Sequence, residues 1–195
     1  MFRGPRHVGP PALCTRTPRV TLKAMLLSRY WHDPAWVLAA DETAPPELES
    51  LERVTRLPAT LDDTFAFFAD AANLERLTPP WLKFRILTSL PMEMRTGAEI
   101  AYRITVHGVP LPWRSRIDAW EPGVRFVDRQ IVGPYRWWHH EHRFFPVPDG
   151  TLVVDRVTYR ARARWASAAF VRRDLARIFD YRRDTMLRLF ASPVT

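Results

Sequence analysis

At 195 residues the chain is long enough for one sizeable core, and its 47% hydrophobic and 26% charged residues exclude a chain that is disordered throughout. The formal net charge of +8 is concentrated in residues 1–32, where Arg3, Arg6, Arg16, Arg19, Lys23 and Arg29 stand without one acid, leaving 23 basic against 21 acidic residues elsewhere. That balance argues against nucleic acid as a partner, and the single cysteine, Cys14, excludes a disulfide framework or a cysteine-based metal site.

Residues 1–48 are rich in Pro and Arg, with Pro10-Pro11 and Pro45-Pro46 clusters and no sustained period. They read as a disordered extension, as a transit peptide, or as an overextended gene start with the true start at Met25 or later; residues 49–195 form the domain. The apolar stretch near Met25 is interrupted by Lys23 and Arg29, so no transmembrane segment is expected, and the protein reads as cytoplasmic.

A first strand runs from Leu51 to Leu57 and ends at Pro58. Thr60 and Asp63 form a capping box ahead of a short helix from Leu61 to about Asp70, and a second helical turn, Ala72 to Leu77, stops at Thr78-Pro79-Pro80. Strands follow over Trp81–Thr88, Glu99–His107 and Leu111–Trp120, with turns at Met94–Gly97, Gly108–Pro110 and Glu121–Gly123.

Most of the chemically capable side chains fall between Phe126 and Tyr159, which Gly133-Pro134 and Asp149-Gly150 divide into three antiparallel strands. Alternation sorts each by face. Arg129, Glu141, Arg143, Arg156, Thr158 and Arg160 mark the wet side. Asp128, Gln130, Trp138, His140, His142, Phe144, Asp155 and Tyr159 face inward. A two-residue Asp149-Gly150 loop sets Phe144 opposite Asp155 and His140 opposite Tyr159, with His142 diagonal to Asp155.

From Trp165 to Phe190 the period is helical, with Val171, Leu175, Ile178, Met186 and Leu189 in one stripe and Arg182 at its centre. The sheet is the one surface large enough to cover that stripe. Arg182 pairs with Asp128 or Asp155, clamps an anionic ligand group, or snorkels past the sheet.

The order strand, two short helices, six strands and a long helix resembles the helix-grip fold of the START-like, Bet v 1-like (SRPBCC) superfamily, particularly its bacterial polyketide cyclase/dehydrase-like and coenzyme-Q-binding-like branches. The likeness is carried by Leu57-Pro58-Ala59 before Phe65 and Phe68, Asn73-Leu74 to Leu77-Thr78-Pro79, Phe126-Val127-Asp128-Arg129-Gln130 with Gly133-Pro134-Tyr135, Trp138 with His140 and His142, Gly150-Thr151 to Asp155 and Tyr159, and Ile178-Phe179 with Tyr181-Arg182. It implies an α+β fold: a curved antiparallel sheet of about seven strands around a C-terminal helix, with a cavity between them that takes a hydrophobic small molecule or lipid. The same resemblance implies fusion to, or encoding beside, epimerase-like proteins.

Three functions fit these residues. In the first the cavity binds an apolar ligand, its polar end formed by Asp128, Gln130, His140, His142, Asp155, Tyr159 and Arg182, with Trp138, Phe144 and Ile178 along its walls. In the second, a cyclase or dehydratase, His140 or His142 is the general acid or base, Asp128 or Asp155 orients it and Tyr159 donates to a substrate carbonyl. In the third, a non-catalytic interaction module, side chains fill the cavity, these groups only hydrogen-bond one another, and the N-terminal arm binds a partner. A three-histidine metal site is disfavoured because His139 points away from His140 and His142, so at most two histidines converge and a site of two histidines and one carboxylate would need Asp128 or Asp155 within reach; no metal and no cofactor is expected.

Overall fold

The computed structural model describes residues 47–161 and 168–191. Seven strands form one antiparallel sheet: β1 (Glu49–Leu57), β2 (Arg85–Ile86), β3 (Glu99–Val106), β4 (Val109–Glu121), β5 (Arg125–Val132), β6 (Tyr135–Val147) and β7 (Gly150–Ala161), in the spatial order β1-β7-β6-β5-β4-β3-β2. Two short helices, α1 (Leu61–Ala69) and α2 (Asn73–Leu77), follow β1, and the long helix α3 (Ala168–Ala191) packs on the concave side. This is the α+β helix-grip arrangement. Residues 1–46 of the extension expected over 1–48, and the helix start at Trp165, lie outside the described residues.

Local chemistry sets most element ends. The Thr60 hydroxyl accepts the Asp63 backbone N–H at 3.1 Å and donates to the Asp63 carboxylate at 2.6 Å, which closes the capping box of α1. The strand expected over Trp81–Thr88 shrinks to Arg85–Ile86, because Pro80 starts a short 3₁₀ turn through Leu82 that Lys83 ends with a φ of 43°. The turn expected at Gly108–Pro110 is instead His107-Gly108, both residues with positive φ, and Val106 pairs with Val109. Pro110 and Pro112 stand inside β4 opposite Thr105 and Arg103, where their missing N–H groups point away from β3; β5 joins β4 only from Arg114 onward.

The β6–β7 hairpin corrects the expected register. Val147 pairs with Gly150, so the loop is Pro148-Asp149 and every partner moves by two residues. His142 lies directly opposite Asp155, Phe144 opposite Val153, His140 opposite Val157 and Trp138 opposite Tyr159. Pro148 takes the position that proline prefers in a tight turn, with glycine two residues later. Gly150 is required as a strand residue: its φ is +136°, and a Cβ there would lie 2.0 Å from the Leu57 carbonyl oxygen of β1. An even shift preserves alternation, so each inward residue keeps its face.

Glu141, expected to face water, is only 3% exposed on the outer face, where its Oε1 receives Arg143 Nε at 2.7 Å and Arg125 Nη1 at 3.3 Å. On the inner face two apolar clusters flank the middle of the sheet. One joins Leu57, Phe65, Phe68, Phe126, Phe144, Val153 and Met186; the other joins Ile104, Trp113, Trp138, Val157, Tyr159, Leu175 and Phe179. The stripe of α3 is thus anchored at Leu175 and Met186 as its period requires, and Phe179 and Thr185 are buried in addition.

Gly150→Ala places a methyl group into rigid backbone at an unfavourable φ and is expected to cost more than about 2 kcal/mol in chemical denaturation. Gly97→Ala, where a Cβ meets nothing within 4 Å, should cost only about 1 kcal/mol for its φ of +85°.

Candidate functional site

Between the sheet and α3 lies a cavity of about 1020 Å³. Its walls are mostly apolar, with Ile100, Ile104, Leu111, Trp113, Trp138 and Ile178 among them, and Asp128, His140, His142 and Arg182 form a polar cluster in its wall.

Register builds this polar cluster. Asp128 on β5 pairs with His140 on β6, and His142 pairs with Asp155 on β7, so two aspartates bracket two imidazoles whose ring centroids are 3.8 Å apart. Asp128 Oδ2 lies 3.3 Å from His140 Nδ1 and 3.5 Å from His142 Nε2. On the far side Asp155 Oδ1 lies 2.6 Å from His142 Nδ1 and 3.5 Å from His140 Nε2, approaches that fall outside normal hydrogen-bond angles. Aromatic rings hold the imidazoles: His142 stacks on Phe126 with centroids 4.1 Å apart, and His140 meets Phe179 edge-on at 5.3 Å.

Arg182, at the centre of the apolar stripe, points at the sheet with Nε 3.6 Å from Asp155 Oδ2 and its guanidinium over the Phe68 ring. Of the partners open to it from sequence, Asp155 is the one it reaches. Asp128 is held from the other direction, since the Ser115 hydroxyl donates to Asp128 Oδ1 at 3.2 Å and accepts Trp113 Nε1–H at 3.1 Å. Tyr102 Oη approaches Ser115 Oγ at 3.4 Å. A continuous polar chain therefore runs from Trp113 and Ser115 on β4 to Arg182 on α3.

Burial pushes the His142 imidazole below its usual range, and the charge of His140 pushes it the same way. Burial would also lower His140, but contact with Asp128 and Asp155 outweighs it and the net direction is upward. For Asp155, burial opposes ionisation, yet Arg182 and His142 hold it well below the ordinary carboxylate range. Burial is likewise outweighed at Asp128, which its contacts with His140 and His142 keep ionised.

Six of the ten expected cavity residues do border the cavity: Asp128, Trp138, His140, His142, Ile178 and Arg182. Asp155 lies behind the imidazoles. Phe144 belongs to the apolar cluster with Phe65 and Phe126. Gln130 folds over the Gly133-Pro134 turn, donating to the Tyr135 carbonyl at 2.8 Å and accepting the Tyr135 N–H at 3.2 Å. Tyr159 is fully buried, and its hydroxyl donates to Glu49 at 3.0 Å, so it is not free to donate to a ligand carbonyl. Alternation names a face but not the distance along it, and these four sit beyond the ends of the cavity or beneath its floor. Conversely Tyr102, Trp113 and Ser115 were missed. The signal was present in β4, where Arg114, Arg116 and Asp118 mark one face and Trp113, Ser115 and Ile117 the other, placing a hydroxyl in an apolar row.

Residues 57–183 match the family described as polyketide cyclase / dehydrase and lipid transport. The chain belongs to this family. No curated protein shows a significant match. Among solved structures, the fold is similar to that of the Zhui aromatase/cyclase from Streptomyces sp. R1128, with a TM-score of 0.59 and 18% identity over 76% of this chain and 97% of that chain. A START superfamily protein from Mycobacterium smegmatis gives 0.59 at 10% identity, covering 73% of this chain and 97% of that one. Major latex-like protein 151 from Panax ginseng gives 0.56 at 9%, covering 73% and 97%. Identities this low establish a shared fold alone. The comparisons lend no support to an epimerase-like partner, and among the described residues no helix is long and apolar enough to cross a membrane.

Two measurements check the buried polar groups. Arg182→Met leaves the Asp155 carboxylate buried without its cation and should cost about 3 kcal/mol or more, while adding Asp155→Asn in the same chain should recover part of the loss. Tyr159 is raised from 10.0 to about 12 by burial and by Glu49. A group whose folded pKa is raised stabilises the fold below its unfolded pKa, so this contribution is lost as pH climbs from about 10 to 12. Denaturation midpoints should fall across that window, and less steeply in Tyr159→Phe.

Proposed function

We propose that the protein binds a hydrophobic small molecule or lipid between its sheet and α3. The observation that carries this reading is the cavity itself: about 1020 Å³ of mostly apolar space with one cluster of charged and imidazole groups, Asp128, His140, His142 and Arg182, in its wall. Ligand sites have this composition, apolar walls for affinity and a few placed polar groups for orientation, and the volume sits at the upper end of their usual range of about 300 to 1,000 Å³. A ligand of several fused rings or a long acyl chain fits such a space. Membership of a family whose description includes lipid transport supports the assignment.

The mouth is consistent with entry of a large apolar molecule. The His107-Gly108 turn faces the N-terminal part of α3, where His107 contacts Asp174 and Phe170, and Trp81 lies against Tyr181 with Arg177 over its ring. These contacts join loops and helix through side chains, not through backbone pairing, so parting them breaks no sheet hydrogen bond. The single cysteine and the absence of a long apolar run fit a cytoplasmic carrier.

A second reading, a cyclase or dehydratase, is favoured by one specific feature: His140 and His142 border the cavity with an aspartate on either side. An imidazole so held can take a proton from an acidic carbon between two carbonyls and return it to a leaving hydroxyl. The family description, which names polyketide cyclase and dehydrase, makes poly-ketone chains the substrate class to test.

Native mass spectrometry of gently purified protein should reveal a co-purifying apolar ligand, and anilinonaphthalene sulfonate should bind with enhanced fluorescence. Ile104→Trp, which fills the cavity from β3, should weaken probe binding at least tenfold while the fold, followed by circular dichroism, survives. Unchanged probe binding in that variant would remove the cavity as the site. For the second reading, His140→Ala should abolish turnover of a poly-ketone substrate and leave probe affinity within a few fold; equal loss of both excludes acid–base catalysis by His140.

A further inference from the structure

We propose that Asp128, His140 and His142 form a binding site for a divalent first-row transition-metal cation, with zinc or ferrous iron as the fitting ions, in the wall of the cavity. The inference does not depend on an apolar ligand being present.

Donor geometry is the first support. One oxygen of Asp128 faces one nitrogen of each imidazole at 3.3 and 3.5 Å, and the three donor atoms lie within 4.8 Å of one another. Donors about 2.1 Å from a common ion, at tetrahedral or octahedral angles, are separated by about 3.0 to 3.4 Å. The two carboxylate–imidazole separations are thus close to the spacing that a cation would impose, and the third, between the imidazole nitrogens, is within 4.8 Å. Two imidazoles and one carboxylate on adjacent strands occupy one side of an ion, and the cavity leaves the other side open to a ligand atom.

Proton accounting is the second support, and it is independent of the first. Four imidazole nitrogens face two carboxylate oxygens, but two neutral imidazoles carry only two N–H groups between them. Without a cation, two ring lone pairs must then point at carboxylate oxygens, and adding a proton to one ring still leaves one such opposition. With a cation on the Asp128 side, every group is satisfied. Both protons move to the far nitrogens, His140 Nε2 and His142 Nδ1, which face the single oxygen Asp155 Oδ1 at 3.5 and 2.6 Å. Those three atoms are buried and have no hydrogen bond of normal angle.

The supporting shell is already built. A carboxylate behind ligating histidines fixes their tautomer and orientation, and Asp155 stands behind both rings at once. Arg182 holds Asp155 at 3.6 Å, and Ser115 donates to the second oxygen of Asp128 at 3.2 Å, leaving Oδ2 for the ion. Charge agrees. Two aspartates and Arg182 sum to one negative charge with neutral imidazoles, so a divalent cation leaves one positive charge facing the cavity. An enolate, carboxylate or hydroxide oxygen neutralises it, which predicts an anionic oxygen on the apolar ligand.

The test uses the full chain, stripped with chelator and then titrated calorimetrically with zinc chloride, without any apolar ligand. The expected result is one equivalent bound tightly. Binding should be lost in His140→Ala and His142→Ala, and weakened roughly 10- to 100-fold in Asp155→Asn, while His139→Ala, on the opposite face, should bind as wild type does. Retention of that equivalent in both His140→Ala and His142→Ala, or no stoichiometric uptake by the wild type, overturns the proposal. Should a variant fail to fold, X-ray absorption of the zinc-loaded wild type decides: imidazole and carboxylate donors support the site, and water or sulfur donors alone overturn it. Because the probe assay and the zinc titration are separate, loss of one leaves the other standing.

Discussion

Two carboxylates, two imidazoles and a guanidinium share an interior made mostly of aromatic and aliphatic side chains, and the need to pair them constrains strand register and helix position together. Removing such charges from water costs several kcal/mol per ion, repaid only by close, well-satisfied partners. In this fold the repayment comes from three directions. β5 supplies Asp128, β7 supplies Asp155, and β6 places both histidines between them. Arg182 arrives from α3 and completes the charge balance at Asp155. A one-residue slip in any of these strands would turn its charged group to the opposite face and leave its partners buried alone. The polar cluster is therefore a strict specification of register, stricter than the apolar contacts around it.

The same arithmetic bears on purpose. An apolar interior of the same volume would be as stable or more so, because buried ion networks seldom exceed the hydrophobic packing they displace. Phe126, Phe144 and Val153 show that these strands can fill their inner face with hydrocarbon one step along. A cluster that contributes little net stability, borders a large cavity and has imidazole nitrogens directed at one carboxylate oxygen is more economically explained by what it binds than by what it stabilises. The outer face offers the contrast. There Arg125, Glu141 and Arg143, and Arg116, Asp118 and Arg129, also form charged ladders, but none of the six lines the cavity and each acid meets guanidinium groups at ordinary distances.

Much of this was legible in the sequence. Alternation along Phe126–Tyr159 separated His140 and His142 from His139, and helical period placed Arg182 toward the sheet, because both depend only on backbone repeat. What alternation cannot supply is registration. The Asp149-Gly150 signal misled because Gly150 meets a different demand, the approach of the Leu57 carbonyl from a strand far earlier in the chain, and the turn is made by Pro148-Asp149. Gln130 and Tyr159 lie on the face that alternation gives them but away from the cavity along it; one folds over a turn and the other bonds Glu49. Ser115 was legible and overlooked, since a lone hydroxyl in an apolar row matters only once its neighbour across the sheet is known.

Persistence of the cavity also follows from packing. The helix α3 is pinned to the sheet at two places, through Leu175 and Phe179 toward its N-terminal half and through Met186 toward its C-terminal half, with Arg182 between them. Between the inner cluster and the β3–β4 hairpin, the wall is made of large rigid rings, Tyr102, Trp113, Tyr135 and Trp138, packed stacked, tilted or edge-on against one another at centroid distances of 4.8 to 5.8 Å. Rings so braced cannot collapse inward without losing those contacts, and α3 cannot approach without breaking its own anchors. Space is thus held open by the aromatic wall on one side and by the charged cluster on the other, and the two act on different parts of an occupant. The wall offers area without direction, whereas the cluster fixes one end of the molecule against Asp128, His140 and His142. Orientation of whatever enters is therefore decided at the polar cluster, and the length of the apolar space beyond it limits how far the rest can extend.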